Sequence, residues 1–470
     1  MVFSSLYFSF FFLPIVVILY YLAKEKYRNY ILLIASLYFY SYGEPTFVFV
    51  MMGSILVNYA MAISISHFKR SGKNKISKNI LIANIIINIG ILFVFKYLDF
   101  AITTTNWILK TNMSLKGIAL PIGISFFTFQ AMSYVIDVYR EEIEVQKNPL
   151  YLALYISFFP QLIAGPIVRY STIAEQITKR TCTADKFAEG VRRFLLGFGK
   201  KVLLANNLSI VAEDVFALDT SVTNPLLLWM GAVCYSLQIF YDFSGYSDMA
   251  IGLGKLFGFE FEENFNYPYI SKSVTEFWRR WHISLGQWFR DYVYIPLGGS
   301  KVSVPRHIIN MLVVWTLTGI WHGANYNYIV WGLGYFVLLV IEKYIVKPEE
   351  RKNIFLKVFW QILTLLAVNF GWVIFSSSGI KYCLAMLGKY HIPFVIDEST
   401  IRYAREYGIF MMLGILFATP IMKIFKAKIQ RSNFSLVAEI CAPIVYSAIF
   451  LLSVSYIILG AHNPFIYFNF

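Results

Sequence analysis

The chain has 470 residues, of which 58% are hydrophobic and 18% aromatic, and its formal net charge is +14. A soluble domain of this size cannot bury so much apolar surface, and no polar stretch is long enough to fold as a separate soluble unit. The basic residues fall in short loops between apolar runs, as in membrane proteins, and not on one face as in nucleic-acid-binding proteins. The composition predicts a single membrane-embedded domain over residues 1–470, surrounded by lipid and without a nucleic-acid partner.

Long apolar runs mark the predicted membrane helices, among them Leu6–Leu22, Ile80–Phe95 and Val437–Leu459. Their lengths suit passage through the hydrocarbon core, so we expect an all-α polytopic protein. The first run lacks the basic start and the cleavage site of a signal peptide, which predicts an uncleaved helix. Basic loops follow this run and recur at residues 69–78, so the N-terminus should be extracytoplasmic. The later runs alternate with basic loops in a way that places the C-terminus outside as well.

Four basic side chains recur at about two helical turns within residues 191–204, namely Arg192, Arg193, Lys200 and Lys201. They are either snorkelling side chains near a helix end or a cytoplasmic surface that attracts an anionic donor molecule. Asp242 and Asp248 follow in an apolar region. They either support a functional site or hold packing arginines such as Arg279 or Arg280.

A capping box opens the next predicted helix, with Ser273 placed as N-cap and Glu276 three residues later. We expect one helix from there to about Val293, before a proline and two glycines end it. Its charge is too high for a lipid-facing span, since it carries Arg279, Arg280, Arg290 and Asp291. Helical spacing predicts an interfacial or re-entrant helix with one shared face, formed by Trp278, His282, Leu285 and Phe289.

Two apolar runs then flank a polar break at His322. The first, Ile308–Trp321, has about fourteen residues or roughly 21 Å of helix, which is short of a full crossing. The second is Tyr328–Ile345, and both outer flanks are basic. We therefore expect a broken hairpin that enters the membrane from the cytosol, with His322 near its apex and irregular backbone buried in protein.

His322 and His282 are the candidate reactive groups, because an ionisable residue at membrane depth indicates a functional site. A buried histidine can instead be a satisfied core residue, and this alternative stays open above all for His282. Two histidines without a nucleophile motif suit acyl transfer, in which a neutral imidazole takes the proton of a hydroxyl that attacks a thioester carbonyl. The carbonyl oxygen then needs hydrogen-bond donors, for which Asn325, the indole of Trp321 and His282 are candidates. The four cysteines form no CxxC pair, and we expect no metal site.

Five segments resemble motifs of the membrane-bound O-acyltransferase family: residues 160–166 (PQLIAGP), 241–254 (YDFSGYSDMAIGLG), 277–285 (FWRRWHISL), 290–299 (RDYVYIPLGG) and 321–323 (WHG). The resemblance spans nearly the whole chain, and the motifs stand in the family's order. Within the family, the chain most resembles the bacterial branch that includes the alginate O-acetylation membrane protein. The D-alanyl-teichoic-acid transferases are the nearest relatives of that branch.

The resemblance implies about ten to twelve transmembrane helices, with re-entrant or interfacial helices around a tunnel. It implies that His322 is the catalytic histidine and His282 the second motif histidine. The implied activity is O-acyl transfer across the bacterial plasma membrane from a cytoplasmic thioester, such as acetyl-CoA or an acyl carrier, without a tightly bound cofactor. The acceptor would be an exported polysaccharide, such as alginate or a cell-wall glycan, reached directly or through an extracytoplasmic acetyltransferase partner.

The C-terminal residues 465–470 (FIYFNF) resemble the aromatic tail of acyl-relay systems, in which a tyrosine hydroxyl accepts the acyl group. Carried over, that tyrosine is Tyr467, although Asn469 stands where a glutamine is expected. The alternative for Tyr467 is an aromatic residue of the membrane interface.

Two other functions stay open. One is D-alanyl transfer to teichoic acid, which would use a carrier-protein donor. The other is a proton-coupled transporter, since buried acidic residues, histidines and broken helices also suit a carrier, although the sequence shows no inverted repeat.

Overall fold

The computed structural model describes residues 1–219, 223–348, 353–376, 380–389, 392–393, 395–460 and 464. These residues form α-helices, short π-helical and 3-10 segments and connecting loops, and none of them forms a β-strand. The predicted all-α class is confirmed. The chain divides into two compact units, the first comprising Met1–Phe194 with Met249–Glu262, and the second Leu195–Asp248 with Glu263–Phe470.

Among its described residues the first unit contains nine complete helices, the first part of a tenth, and the last turns of a helix that begins in the second unit. The first ten are α1 (Leu13–Leu22), α2 (Glu25–Gly43), α3 (Phe47–Arg70), α4 (Asn74–Leu92), α5 (Leu98–Leu109), α6 (Ile124–Arg140), α7 (Pro149–Ser157), α8 (Phe159–Leu162), α9 (Tyr170–Thr178) and α10 (Ala184–Gly199) as far as Phe194. A π-helical turn, Phe8–Phe12, leads into α1, and another, Phe93–Tyr97, joins α4 to α5. The predicted first apolar run is thus helical from Phe8 to Leu22.

Helices α3 and α4 are joined by three buried asparagines. The side-chain oxygen of Asn58 accepts hydrogen bonds from the amides of Asn84, at 2.9 Å, and Asn88, at 3.0 Å. Both helices are apolar enough to cross a membrane. Where lipid offers no hydrophobic driving force between helices, such interhelical hydrogen bonds help to hold them together.

The second unit contains the remainder of α10 and the later helices, except for the last turns of α12. They are α11 (Asn206–Ala217), α12 (Pro225–Leu256) as far as Asp248, α13 (Val274–Arg280), α14 (Ile283–Phe289), α15 (Val304–His322), α16 (Tyr326–Ile341), α17 (Ile354–Ser376), α18 (Ile380–Gly388), α19 (Glu398–Phe417), α20 (Ile421–Gln430) and α21 (Ser435–Ile458). Helix α21 coincides with the predicted apolar run Val437–Leu459. The π-helical turns are Lys200–Ala205, Arg290–Tyr294 and Glu342–Val346.

Seven helical segments of the described chain are long and apolar enough to cross a membrane: Phe47–Arg70, Asn74–Leu109, Ala184–Ala217, Pro225–Leu256, Tyr326–Val346, Ile354–Ser376 and Ser435–Ile458. Helices α19 and α20, bent by 66° at their junction, would make an eighth if together they form one span. The protein is therefore a multi-pass membrane protein. Ten to twelve spans were expected, and the smaller number arises partly because apolar stretches such as Phe8–Leu22 are short.

The predicted helix from Ser273 to Val293 is two helices, so this expectation is wrong. Ser273 is the N-cap, as predicted, and its hydroxyl accepts the Glu276 amide at 3.0 Å. The Glu276 carboxylate accepts the amide of Lys272, at 2.8 Å, one residue before the position that a capping box uses. Helix α13 then ends at Arg280, and α14 starts only at Ile283.

Helices α15 and α16 form the predicted hairpin, but the first arm is longer than expected. Helix α15 has 19 residues and starts at Val304, with Pro305 in its first turn. At 1.5 Å per residue its length is roughly 28 Å, close to the thickness of a hydrocarbon core. The two arms pack backbone to backbone, because a Cβ atom on Gly332 would lie only 2.5 Å from the Trp315 carbonyl oxygen and 3.2 Å from Gly319 Cα.

The glycine contact gives a first prediction. Gly332→Ala should force the arms of the hairpin apart and destabilise the protein by about 1–3 kcal/mol, the usual range for overpacking. Thermal unfolding of the protein in detergent, followed by size-exclusion chromatography, measures the effect. Gly334→Ala is the matched control in the same helix, because nothing lies within 4 Å of a Cβ atom there. Equal stability of the two variants would contradict the close packing.

Candidate active site

His322 is the last residue of α15, and its side chain is buried. Three aromatic rings surround it edge to face, with centroid distances of 5.0 Å to Trp321, 5.0 Å to Trp331 and 5.2 Å to Phe375. Gly323 follows directly, where a Cβ atom would overlap the ring of Tyr328. The tight end of the hairpin therefore places an imidazole inside an aromatic pocket.

Trp331, one of the rings around His322, adjoins buried polar hydrogen atoms that the sequence patterns did not identify. Trp278 lies 5.4 Å from Trp331 and 4.9 Å from Tyr335, measured between ring centroids. Their three buried groups, two indole N–H groups and one hydroxyl, have no hydrogen-bond partner among the described residues. Neutral donors in a dry pocket can stabilise a developing negative charge without carrying a charge themselves. The spacing of Trp331 and Tyr335, four residues apart on one helix, is the signal that could have indicated them.

His282 lies in the break between α13 and α14 and is buried. It is outside the helices that are long and apolar enough to cross a membrane. Its φ of +44° and ψ of 54° are left-handed, a conformation that is strained for a residue other than glycine. The predicted shared face with Trp278, Leu285 and Phe289 is wrong, because it assumed one continuous helix. The ring still has aromatic surroundings, with centroids 4.6 Å from Phe243 and 6.0 Å from Trp321.

The two histidines come together at one indole, because the ring of Trp321 lies against both of them. Burial lowers the pKa of His282 to about 3, so its ring is neutral at physiological pH. Its Nδ1 atom lies 3.2 Å from the side-chain oxygen of Asn264. The structure thus brings His282, Trp321 and His322 into one cluster.

Asp242 and Asp248 form ion pairs with lysines and not with the expected arginines. Lys201 Nζ lies 2.7 Å from Asp242 Oδ1, and both side chains are only 2% exposed. Lys200 Nζ lies 2.6 Å from Asp248 Oδ2 at a more accessible place. Arg280 pairs with Glu276 one turn away in α13. Lys201 therefore lies in the protein interior, so it is neither a snorkelling side chain nor part of a cytoplasmic surface.

The Lys201 ammonium group is also shared with two further oxygens. It donates to the side chain of Asn206, at 2.8 Å, and to the backbone carbonyl of Pro464. A buried ammonium with this many acceptors is well compensated for the loss of water. The two acidic residues thus hold the π-helical turn Lys200–Ala205 against α12.

The remaining predicted residues have separate positions. Asn325 is exposed and is the N-cap of α16, where its oxygen accepts the Asn327 amide at 3.2 Å. Capping explains this residue structurally, and its part in catalysis stays a prediction. Tyr467 lies outside the described residues. No group of three or more metal-ligating side chains occurs in the part of the chain that the structure describes.

Comparison with known proteins settles the family. Residues 102–387 match the sequence profile of MBOAT, the membrane-bound O-acyltransferase family. The chain belongs to this family. It is therefore a membrane-embedded acyltransferase, and the family resemblance found in the sequence is confirmed.

Three relatives of this MBOAT protein are named as enzymes that transfer acyl groups. A protein named probable alginate O-acetylase AlgI, from Pseudomonas aeruginosa, is 44% identical over 391 residues, covering 82% of this chain and 74% of the relative. Peptidoglycan O-acetyltransferase of Helicobacter pylori is 31% identical over 518 residues, covering 100% of this chain and 98% of the relative. Teichoic acid D-alanyltransferase of Bacillus subtilis is 31% identical over 281 residues, covering 55% of this chain and 69% of the relative.

The two lysine pairs give a matched test of charge burial in the MBOAT protein. Asp242→Asn leaves the buried Lys201 ammonium without its counter-ion and should cost about 3–5 kcal/mol. Asp248→Asn should cost about 0–1 kcal/mol, because Lys200 is partly exposed to solvent. Thermal unfolding in detergent compares the two variants.

The double variant Lys201→Met with Asp242→Leu serves as the control, because replacing both partners removes the uncompensated charge. It should recover most of the stability lost in Asp242→Asn. A double variant as unstable as the single one would show that the pair is not what stabilises this region.

Proposed function

We propose that this acyltransferase moves an acetyl group from a cytoplasmic thioester to an exported polysaccharide, with His322 as general base. The observation that carries the proposal is the buried pair His322 and His282 around Trp321 in a chain of this family. Support for the substrate class comes from the relatives, which are named for O-acetylation of alginate and of peptidoglycan. The relative named for D-alanyl transfer covers a smaller part of the chain and supports that alternative less.

The proposed chemistry is a direct transfer without a covalent enzyme intermediate. The neutral His322 imidazole takes the proton of the acceptor hydroxyl while the hydroxyl oxygen attacks the thioester carbonyl. The carbonyl oxygen becomes negative, and we propose that the buried indole N–H of Trp331, which packs on His322, stabilises it, with that of Trp278 beside it. The C–S bond then breaks, and the His322 imidazolium returns the proton to the departing thiolate.

We further propose the surroundings of the reaction. The donor is acetyl-CoA or an acyl carrier, and the membrane is a bacterial plasma membrane with both termini on its outer side. The acceptor is reached directly or through an extracytoplasmic acetyltransferase partner. The α15–α16 hairpin is proposed to enter the membrane from the cytosol, and its 19-residue first arm would carry His322, at the apex, toward the acceptor side.

His322→Ala tests the general base. Polymer acetylation in cells should fall by about 10²-fold or more, because a positioned base contributes 10²–10⁴-fold, while the amount of folded membrane protein stays unchanged. His322→Gln keeps more of the side-chain volume and shows whether any loss is due to misfolding. His67→Ala is the control at an exposed histidine and should acetylate normally. Normal acetylation in both His322 variants would exclude His322 as the base.

Tyr467 has a test of its own. If its hydroxyl relays the acyl group, mass spectrometry of donor-loaded protein should find the C-terminal peptide acetylated on this residue, and Tyr467→Phe should abolish the modification and polymer acetylation. Tyr456→Phe, in α21, is the control. An unmodified tail in donor-loaded protein that still acetylates polymer would argue for direct transfer.

A further inference from the structure

Asn264 connects the segment before α13 to the turn that carries His282. It is fully buried, and its backbone carbonyl accepts the amide of Ile283 at 3.0 Å. Its side-chain oxygen accepts the Ser284 amide at 3.2 Å and the Ser284 hydroxyl at 2.9 Å. Its side-chain nitrogen donates to the hydroxyl of Ser247 at 3.2 Å. One residue thus holds both the backbone and the ring of the His282 turn.

These contacts fix which way the Asn264 amide points. A backbone N–H can only donate, so the atom that faces the Ser284 amide must be the oxygen. The same oxygen faces His282 Nδ1 at 3.2 Å. Because an amide oxygen can only accept, Nδ1 must carry the hydrogen atom.

The tautomer decides what the other nitrogen of His282 can do. In a neutral ring one nitrogen carries the hydrogen and the other has a free lone pair. With Nδ1 protonated, Nε2 is an acceptor. It is buried and has no hydrogen-bond partner among the described residues. Trp321, which also contacts His322, is one of the rings beside it.

We propose that Asn264 is a positioning residue that holds His282 in the Nδ1–H tautomer, so that Nε2 accepts a hydrogen bond from the acceptor hydroxyl. This rests on the proposed acyl transfer, and it assigns to His282 a role other than that of donor to the carbonyl oxygen. Asn264 itself touches no substrate. It acts by fixing the ring that does, as the orienting member of a catalytic triad does.

Two structural features support this assignment. The left-handed backbone of His282 is costly, about 1–3 kcal/mol, and such a conformation persists only where neighbouring contacts impose it. The rings packed on His282, Phe243 and Trp321, are uncharged, and Asp242 and Asp248 of α12 each pair with a lysine. Burial keeps the ring neutral, and its orientation depends on Asn264.

Two variants, Asn264→Leu and Asn264→Asp, distinguish a role in orienting the His282 ring from a role in folding alone. The leucine variant removes the acceptor for Nδ1–H and should lower kcat about 10- to 100-fold at every pH, with little change in KM for the donor. The aspartate variant keeps the acceptor but adds a negative charge that favours the imidazolium form, so it raises the pKa of His282. Its activity should be preserved at high pH and lost as the pH falls, with the acidic limb displaced to higher pH than in the natural protein.

The assay uses purified protein in detergent with acetyl-CoA as donor and an alginate oligosaccharide as acceptor, and it measures thiol release across the pH range. Asn266→Ala is the matched control, because the hydrogen bonds of Asn266 to Arg280 run through its backbone atoms. It should keep both the turnover and the pH profile. An Asn264→Leu variant with normal kcat, or an Asn264→Asp variant with an unchanged profile, would overturn the role of Asn264 while leaving the proposed function intact.

A measurement that needs no turnover completes the test. In protein labelled with ¹⁵N-histidine, the signals missing from a His282→Gln sample belong to His282. They should show a protonated Nδ1 and a bare Nε2, and this pattern should change in Asn264→Leu. A bare Nδ1 in the natural protein would overturn the proposal even if the acyl-transfer function failed for other reasons.

Discussion

The close backbone contact between α15 and α16 is the constraint on which the position of His322 depends. Gly332 packs against the Trp315 carbonyl and against Gly319, so the two arms approach more closely than side chains would allow. This approach leaves room at the end of the hairpin for only a short turn, and His322 is the last residue before it. The aromatic rings of α16 and α17 then enclose the imidazole. The close packing of the arms thus fixes the polar ring of His322 in an apolar interior.

In the second unit, the buried charges lie in one place and the neutral polar groups lie around the histidines. The buried charges of Lys201 and Asp242 neutralise each other within α12 and the preceding π-helical turn. The polar groups that contact the histidines are uncharged, among them the amide of Asn264 and the indoles of Trp321 and Trp331. Hydrogen bonds are stronger electrostatically in a medium of low dielectric constant, so neutral groups are sufficient for a neutral thioester and hydroxyl. A permanent charge in the pocket would cost desolvation energy before any substrate binds.

The sequence predicts those features that depend on neighbouring residues. The N-cap at Ser273, the apolar helices and the hairpin around His322 all follow from patterns within a few turns. The break at His282 could not be predicted, because a left-handed residue is normally indicated by glycine and this position is a histidine. The lysine partners of Asp242 and Asp248 are about forty to fifty residues away in the chain, and Asn264 is 18 residues from His282. Such contacts are set by tertiary packing, and no local pattern encodes them.

In the proposed reaction the two histidines have different roles. A ring whose pKa burial lowers to about 3 does not hold an extra proton near neutral pH. The proposal therefore assigns the proton that leaves the acceptor hydroxyl to His322 until the thiolate departs. His282, held by Asn264 with its Nδ1 hydrogen already engaged, offers only a lone pair. In the proposal one histidine thus moves the proton, and the other orients the hydroxyl.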